Sequence, residues 1–329
     1  MRAFVTGATG FLGSNLAVGL VERGVEVRIL RRPTGGAEAL QGARIEETTG
    51  DILDPPEKLA RSMEGCEWVF HVAASVKYGR SPRELYRTNV EGTAHVAEAG
   101  LLAGVGRFVL TSSLSAMGVA EGGRLLDEDS EFSLSPSEFP YGHTKRLAED
   151  EVRKRIDRGL SAVIVNPSTM FGPRDVRRNA GAMVIQAASG ALRFYPQGGS
   201  NFVAVEDVVW GHIAAAEKGR VGQRYILGNR NLTYREVFER VCEVVGVPPP
   251  RWPIPNAILP VGAWGAQLLS WIRPGLLPVD PNQIRMSARC IYATSERAIR
   301  ELGLPQSPLE GAIRRAHEWY QQNGYLRKS

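Results

Sequence analysis

Cysteine is scarce in this 329-residue chain. Only Cys66, Cys242 and Cys290 occur, far apart, odd in number and without a Cys-x-x-Cys spacing. That excludes a disulfide framework and a thiolate zinc site. The three read as buried thiols in a reducing compartment, and no metal is expected. Zinc-finger spacings, lysine-rich tracts and the aromatic-and-glycine signature of RNA-binding sheets are also absent, so nucleic acid is not an expected partner despite a formal net charge of +5. No internal repeat or low-complexity stretch appears. The N-terminus runs straight into an apolar segment, so no leader peptide is expected and a cytoplasmic location is. Charge is missing from Trp252 to Ile272, a run of transmembrane length. Pro253, Pro255 and Pro260 interrupt its first half, and Gly262 and Gly265 follow. A spanning helix is therefore not expected. An amphipathic helix over about Asn256–Ile272 is, either buried or touching a membrane surface peripherally through 254–272.

What is present is ordinary in bulk and specific in pattern. With 43% hydrophobic and 23% charged residues the composition is that of a globular protein, long enough for one large or two modest domains. Apolar runs at Val25–Leu30, Arg44–Thr48, Trp68–Val72, Phe108–Thr111 and Ala162–Val165 alternate with helical patterns at Phe11–Arg23, Pro55–Met63, Pro82–Ala103 and Tyr141–Arg158. Such alternation predicts an α/β fold: a Rossmann-type, doubly wound parallel sheet with helices on both faces. After Pro167 the pattern breaks up. Phe202–Val205 and Arg224–Leu227 read as late strands returning to the sheet, and helices are expected at Thr233–Val245, Thr294–Leu302 and Leu309–Gln322. The division expected is a cofactor-binding domain of residues 1–170 plus 201–228, and a smaller, mostly helical substrate lobe of 171–200 plus 229–329.

The chain opens with Ala3-Phe4-Val5 running into Thr6-Gly7-Ala8-Thr9-Gly10-Phe11-Leu12-Gly13. A strand that meets three glycines spaced three apart, then a helix, is built to hold a pyrophosphate. Gly7 permits the turn, Gly10 lets backbone amides approach the phosphate, and Gly13 lets the helix pack on the strand. The helix then points its positive end at the anion. A glycine-rich turn without a ligand is the bland alternative, disfavoured by the strand before the motif and the Leu12/Leu16/Leu20 stripe after it.

Tyr141 and Lys145 stand four apart in a helical pattern and so share one face. A free phenol, with a pKa near ~10, is a poor acid–base catalyst at neutral pH. A nearby ammonium is expected to bring it down and tune it as a proton donor. Thr111-Ser112-Ser113 ends an apolar strand, where a hydroxyl could stabilise charge on a substrate oxygen. Each feature alone is commonplace. Their order, downstream of the glycine loop and each beside a sheet element, is not.

With these residues in view, the chain resembles the extended (atypical) short-chain dehydrogenase/reductases. The matching stretches are Val5–Gly13, Gly50-Asp51-Ile52-Leu53, His71-Val72-Ala73-Ala74, Asn89–Thr93, Leu110–Gly118, Tyr141–Lys145 and Asn166-Pro167-Ser168, with further likeness at Ala293–Ala298 and Trp319–Tyr325. The resemblance implies a catalytic triad of Ser113, Tyr141 and Lys145. Ser113 is chosen over Ser112 because the family's hydroxyl lies five positions before the glycine matched by Gly118. It also implies that Lys145 holds the nicotinamide ribose, that Asp51 and Ile52 flank the adenine, and that Ala73 lines the cofactor groove while Asn89 supports the site's geometry. Gly7, Thr9, Gly10, Phe11, Leu12, Ala74, Thr111, Tyr141, Asn166, Pro167 and Ser168 complete the implied cofactor contacts. His143 is expected at the solvent or substrate rim. A homodimer is expected only by analogy with relatives.

At the end of the second strand, where an NAD-binding chain offers a carboxylate to the ribose, this one reads Ile29-Leu30-Arg31-Arg32-Pro33. Two guanidiniums suit a 2′-phosphate, and solvated loop arginines are the alternative. Dihydroflavonol-reductase-like members of the family carry an arginine at the position of Arg32. The expectation is therefore NADP(H), selected by Arg32 with help from Arg31 or Arg28, with NAD(H) as the alternative.

Within the family the chain looks most similar to the dihydroflavonol-reductase-like and hopanoid-associated sugar-epimerase-like members. Nucleotide-sugar enzymes of the family commonly grip the diphosphate with an arginine just before the late strand; here Asn201 stands in that place, and Ala204 where a histidine is frequent. Arg174, Arg177, Arg178 and Arg193 remain as cations that could reach an anion. The apolar 254–272 stretch suggests a lid over a lipid-like or polycyclic substrate, or else a plain lobe core. Three functions follow in order of preference: an NADP(H)-dependent oxidoreductase acting on a carbonyl or alcohol carbon of a hydrophobic small molecule; a nucleotide-sugar epimerase or dehydratase with a transiently reduced cofactor; and a non-catalytic cofactor-sensing protein.

Overall fold

A computed structural model describes the chain except for residues 34, 35, 37, 41, 77–81, 121, 177, 179, 260–280 and 327–329, and only the backbone of 281–283. Most of the apolar 254–272 stretch, and Arg177, therefore lie outside the described residues.

Seven parallel strands form the main sheet: β1 (Arg2–Thr6), β2 (Glu26–Arg31), β3 (Glu46–Thr49), β4 (Trp68–His71), β5 (Arg107–Thr111), β6 (Ala162–Pro167) and, after three strands that lie elsewhere, β10 (Arg224–Leu227). Their spatial order is β10-β6-β5-β4-β1-β2-β3, all parallel. The central strands are buried on both faces, which is why they read as unbroken apolar runs. One face is covered by α1 (Phe11–Glu22) and the later helix α7 (Val205–Lys218), through Leu16, Leu20, Val208 and Ile213. The other carries α2 (Pro56–Ser62), α4 (Gly92–Leu102) and α5 (Pro140–Ile156), through Leu59, Val96 and Val152. The strand order reverses between β1 and β4, and a ligand crevice is expected outside the carboxyl ends of those two strands.

The helix expected over Pro82–Ala103 is interrupted. A short α3 (Pro82–Tyr86) leads into one π turn, Arg87–Glu91, before α4. The extra residue of a π turn re-aims a side chain, and the residue in question is the fully buried Asn89.

A second correction concerns Phe202–Val205. Arg224–Leu227 does return to the main sheet, beside β6, but Phe202–Val205 does not. Its strand, β9 (Gly199–Ala204), lies in a separate small sheet with β7 (Thr169–Phe171), β11 (Arg230–Thr233) and β13 (Cys290–Ile291). A fully buried strand gives the same apolar run in either sheet, so composition could not choose. Two more short strands, β8 (Phe194–Pro196) and β12 (Trp252–Ile254), pair as a ribbon. The second lobe has its own core, where α6 (Gly181–Ala188), α8 (Tyr234–Val245) and the helix Leu309–Gln322 meet around Phe171, Phe202, Phe238 and Tyr320. Cys66 and Cys242 are buried as expected, whereas Cys290 is exposed at the edge of the small sheet. Among the described residues no helix is long and apolar enough to cross a membrane.

Candidate active site

Two of the three loop glycines are required by the protein itself. Gly7 has φ +72°, and a Cβ there would lie 2.6 Å from the backbone nitrogen of Ala73; a Cβ at Gly13 would lie 2.2 Å from the Gly7 carbonyl oxygen. Gly10 differs. Its nearest neighbour to an added Cβ is the Gly7 carbonyl at 3.3 Å, so packing alone bears on it much less. Gly10 is also the N-cap of α1, with no side-chain cap and no acidic residue in the first turn. A helix N-terminus left open and uncapped beside a residue with room above it fits an anionic ligand that approaches from outside. Phe11 and Leu12 bury their side chains, leaving only backbone to that approach. Thr9 and Gly10 are half-buried at the loop.

The neighbouring loop after β4 is pinned to α5. Asn89 accepts from the Ser75 amide at 2.7 Å and donates to the Ser75 carbonyl and to Thr144 Oγ1, both at 3.0 Å. Thr144 in turn donates to the Tyr141 carbonyl. Ala73 and Ala74 thus sit on a backbone fixed at one end by Asn89 and at the other by Thr6, whose hydroxyl accepts from the Ala73 amide. Asp51 caps its own turn by accepting from the Leu53 amide, and Ile52 packs where a Cβ on Gly92 would stand.

Ser113 ends β5's extension with a fully extended backbone and caps the turn Leu114–Met117, its hydroxyl oxygen accepting from the Ser115 amide at 3.2 Å. The same hydroxyl hydrogen-bonds with the Tyr141 phenol. Gly142 is what allows the approach: a Cβ there would lie 2.4 Å from the Ser115 carbonyl oxygen. Sequence reasoning passed over Gly142, because only the contact partner shows why it is glycine.

Lys145 is buried at 2% exposure, and its Nζ donates to the Thr111 carbonyl at 2.7 Å. Burial brings its ammonium down to about 8, with Glu149 holding it up. Tyr141 does not show the expected lowering. Burial pushes its phenol up to about 12, with only the Ser113 hydrogen bond acting the other way. Desolvation of the phenolate outweighs every other influence on the group. The Thr111 hydroxyl is engaged by His212 Nε2 at 2.8 Å. Asn166 is fully buried on β6 and donates to the Ser113 carbonyl at 3.0 Å. Beyond Pro167, Ser168 Oγ is buried without a hydrogen-bond partner among the described residues, an orphan suited to an incoming polar ligand. His143 is half-buried with its ring 5.9 Å from that of Phe132.

A scan of family models matches residues 3–228 to the NAD dependent epimerase/dehydratase family. The chain belongs to this family. The match runs from the glycine loop through the Ser113 turn and α5 to the last strand of the main sheet. Among curated relatives, a putative dihydroflavonol 4-reductase of Synechocystis is 35% identical over 98% of this chain and 96% of its own length. Sterol demethylase protein B of Methylococcus capsulatus is 32% identical over 99% of this chain and all of its own. Of solved structures, that of gox2253 superposes with a TM-score of 0.86 at 36% identity, covering 99% of both chains. Membership in the extended short-chain dehydrogenase/reductases and an NAD(P)-dependent oxidoreductase or epimerase activity stand on these relatives.

The residues around the crevice divide unevenly between ligand and fold. Arg32 is exposed at the end of β2, while Arg31 is paired with Glu47 at 2.7 Å. Arg28 does not serve as expected: its guanidinium is taken by Glu46 and by the carbonyls of Ser62 and Glu64. Asn201, in the place of a diphosphate-gripping arginine, is fully buried and ties Asn229 and Asn231 to β9. Arg174 and Arg178 both have left-handed backbones; the first reaches Asn15 in α1, the second lies over the Tyr325 ring. Arg193 is exposed beside the β8–β12 ribbon.

Proposed function

We propose that this chain is an NADP(H)-dependent oxidoreductase that reduces a carbonyl carbon of a hydrophobic small molecule, with Ser113, Tyr141 and Lys145 as its catalytic residues. The observation that carries the reading is the half-buried Tyr141 phenol, hydrogen-bonded to Ser113 and one helical turn from the buried Lys145; desolvation raises its pKa, so it is protonated at neutral pH. A protonated phenol is what carbonyl reduction requires, since the new alkoxide must collect a proton as it forms. A reduced nicotinamide, when held in the crevice, would supply the hydride. Ser113 donates to the carbonyl oxygen and polarises it. Tyr141 transfers its proton to that oxygen, and the phenolate left behind is stabilised by the Lys145 ammonium once that group turns from Thr111. Gly7, Thr9, Gly10 and the first turn of α1 would hold the pyrophosphate, Asp51 and Ile52 the adenine, and Ala73, Ala74, Asn166, Pro167 and Ser168 the nicotinamide side. The working division remains 1–170 plus 201–228 for cofactor and 171–200 plus 229–329 for substrate, although β9 sits in the second sheet.

The burial of Asn201 supports a ketone over a nucleotide sugar, because no cation stands at that position to meet a diphosphate. Names of relatives point the same way: dihydroflavonol and sterol are polycyclic molecules that carry no nucleotide. The test is a panel of apolar ketones and nucleotide sugars assayed with NADPH. The reading expects stoichiometric loss of the reduced-nicotinamide absorbance with an apolar ketone. Conversion of a nucleotide sugar at flat absorbance would replace it with epimerisation.

For the cofactor, Arg32→Ser should weaken NADPH binding roughly tenfold, the worth of a hydrogen bond to a charged group, and leave NADH unchanged. Equal losses for both, by fluorescence titration, would remove Arg32 from the 2′-phosphate.

Peripheral membrane contact is proposed for the same lobe, supported by the exposed pair Phe194 and Trp252, cross-strand partners on the ribbon, with Ile258 exposed nearby. Anionic vesicles should co-sediment with the protein and lose it on Trp252→Ser with Phe194→Ser; sedimentation that ignores both changes would count against it.

A further inference from the structure

We infer that Glu149 is a positioning residue of this site, whose carboxylate joins the serine turn, β6 and the catalytic helix into one unit and sets a negative charge one helical turn from Lys145. The inference rests on the proposed function above. Glu149 lies four residues after Lys145 and eight after Tyr141 on α5, so all three share a face. It is fully buried, where a carboxylate without partners would be costly. Its Oε1 accepts from Ser112 Oγ at 2.5 Å and from Asn166 Nδ2 at 2.8 Å. The same Asn166 Nδ2 donates to the Ser113 carbonyl. Because the chain is extended at Ser113, neighbouring side chains point to opposite sides. Ser112 therefore anchors the turn on Glu149 while Ser113 turns to Tyr141. The choice between the two serines, open in the residues themselves, has a structural reason: Ser112's proton is already committed.

The second carboxylate oxygen, Oε2, has no hydrogen-bond partner among the described residues. It faces the guanidiniums of Arg224 on β10 at 3.5 Å and Arg153 on α5 at 3.7 Å, contacts that are electrostatic and loose. Lys145 meets its surroundings as follows. Tyr141 and Glu149 come from its own helix, His71 from β4, and the Thr111 carbonyl from β5. His71 is held neutral by burial, near 3, between Thr6 and Thr93. Glu149 is thus the negative charge that favours the ammonium, and the two arginines are the cations that moderate it.

The test uses Glu149→Gln and Ser112→Ala in the full chain, assayed with NADPH and whichever ketone the panel identifies. Glutamine keeps an acceptor for Ser112 and Asn166 and removes only the charge. The account expects the alkaline limb of kcat to move down by about one pH unit, with kcat well below that limb within a factor of two or three of wild type. A structural prop would leave the limb in place. Ser112→Ala removes one arm without touching Glu149, and should lower kcat roughly tenfold while KM for NADPH changes less than twofold. An unmoved limb in Glu149→Gln overturns the electrostatic role; unchanged kcat in Ser112→Ala overturns the positioning role and answers the question even if the glutamine variant does not fold. Failure of the underlying reading looks different: Tyr141→Phe would then stay active whatever Glu149 does.

Discussion

Replacing Tyr141 with Phe should cut turnover by about 10²–10⁴-fold, the range a positioned general acid contributes, and leave NADPH binding within a factor of two. The ring stays, so packing in the buried site is preserved. What goes is the proton and the hydrogen bond with Ser113. Because burial keeps the phenol protonated to about 12, wild-type activity should show no alkaline loss from this group across the usual assay range; any alkaline limb belongs to Lys145. Steady-state kinetics and a cofactor titration on the variant check both parts. Retained turnover would mean that the proton comes from elsewhere.

Replacing Lys145 with Met should cost about 10²–10³-fold in kcat, as for loss of one preorganised electrostatic group, without costing stability. The sign follows from the burial. A lysine brought from 10.5 down to about 8 is a charged group the fold disfavours by about 3 kcal/mol at neutral pH. Methionine of similar length removes that penalty and gives up one hydrogen bond, to the Thr111 carbonyl, whose loss offsets about 1–3 kcal/mol. The melting temperature should therefore stay level or rise. The pH dependence has its own direction. The unfolded chain keeps the lysine proton longer than the folded one, so wild type gains stability from this group as pH rises from about 8 towards 10.5, and the variant lacks that gain. A variant that melts clearly earlier at neutral pH would make Lys145 a structural residue and not one whose energetic cost is kept for function.

Much of this could be read from residue order. The glycine loop, the alternating strands and the Tyr141/Lys145 pair are local patterns, and period and spacing report them directly. What escaped was non-local. Gly142 is glycine because of the Ser115 carbonyl, and Glu149 matters because of Ser112 and Asn166; none of these three partners lies within one turn of the helix. Asn89 falls inside a helical pattern in the sequence, and the π turn shows how the helix absorbs it. The apolar run at Phe202–Val205 fits a buried strand in either sheet, and only pairing with β7, β11 and β13 decides. The tuning of Tyr141 came out in the opposite direction because sequence shows that a cation is near, not how far folding removes the phenol from water.

The most direct test of the account is a crystal structure of the protein with NADPH. The account predicts the pyrophosphate over Gly10 and the first turn of α1, the nicotinamide beside the Tyr141 phenol, and Lys145 Nζ moved from the Thr111 carbonyl to the ribose hydroxyls. A dinucleotide seated elsewhere, or one whose nicotinamide faces away from Ser113 and Tyr141, would contradict it.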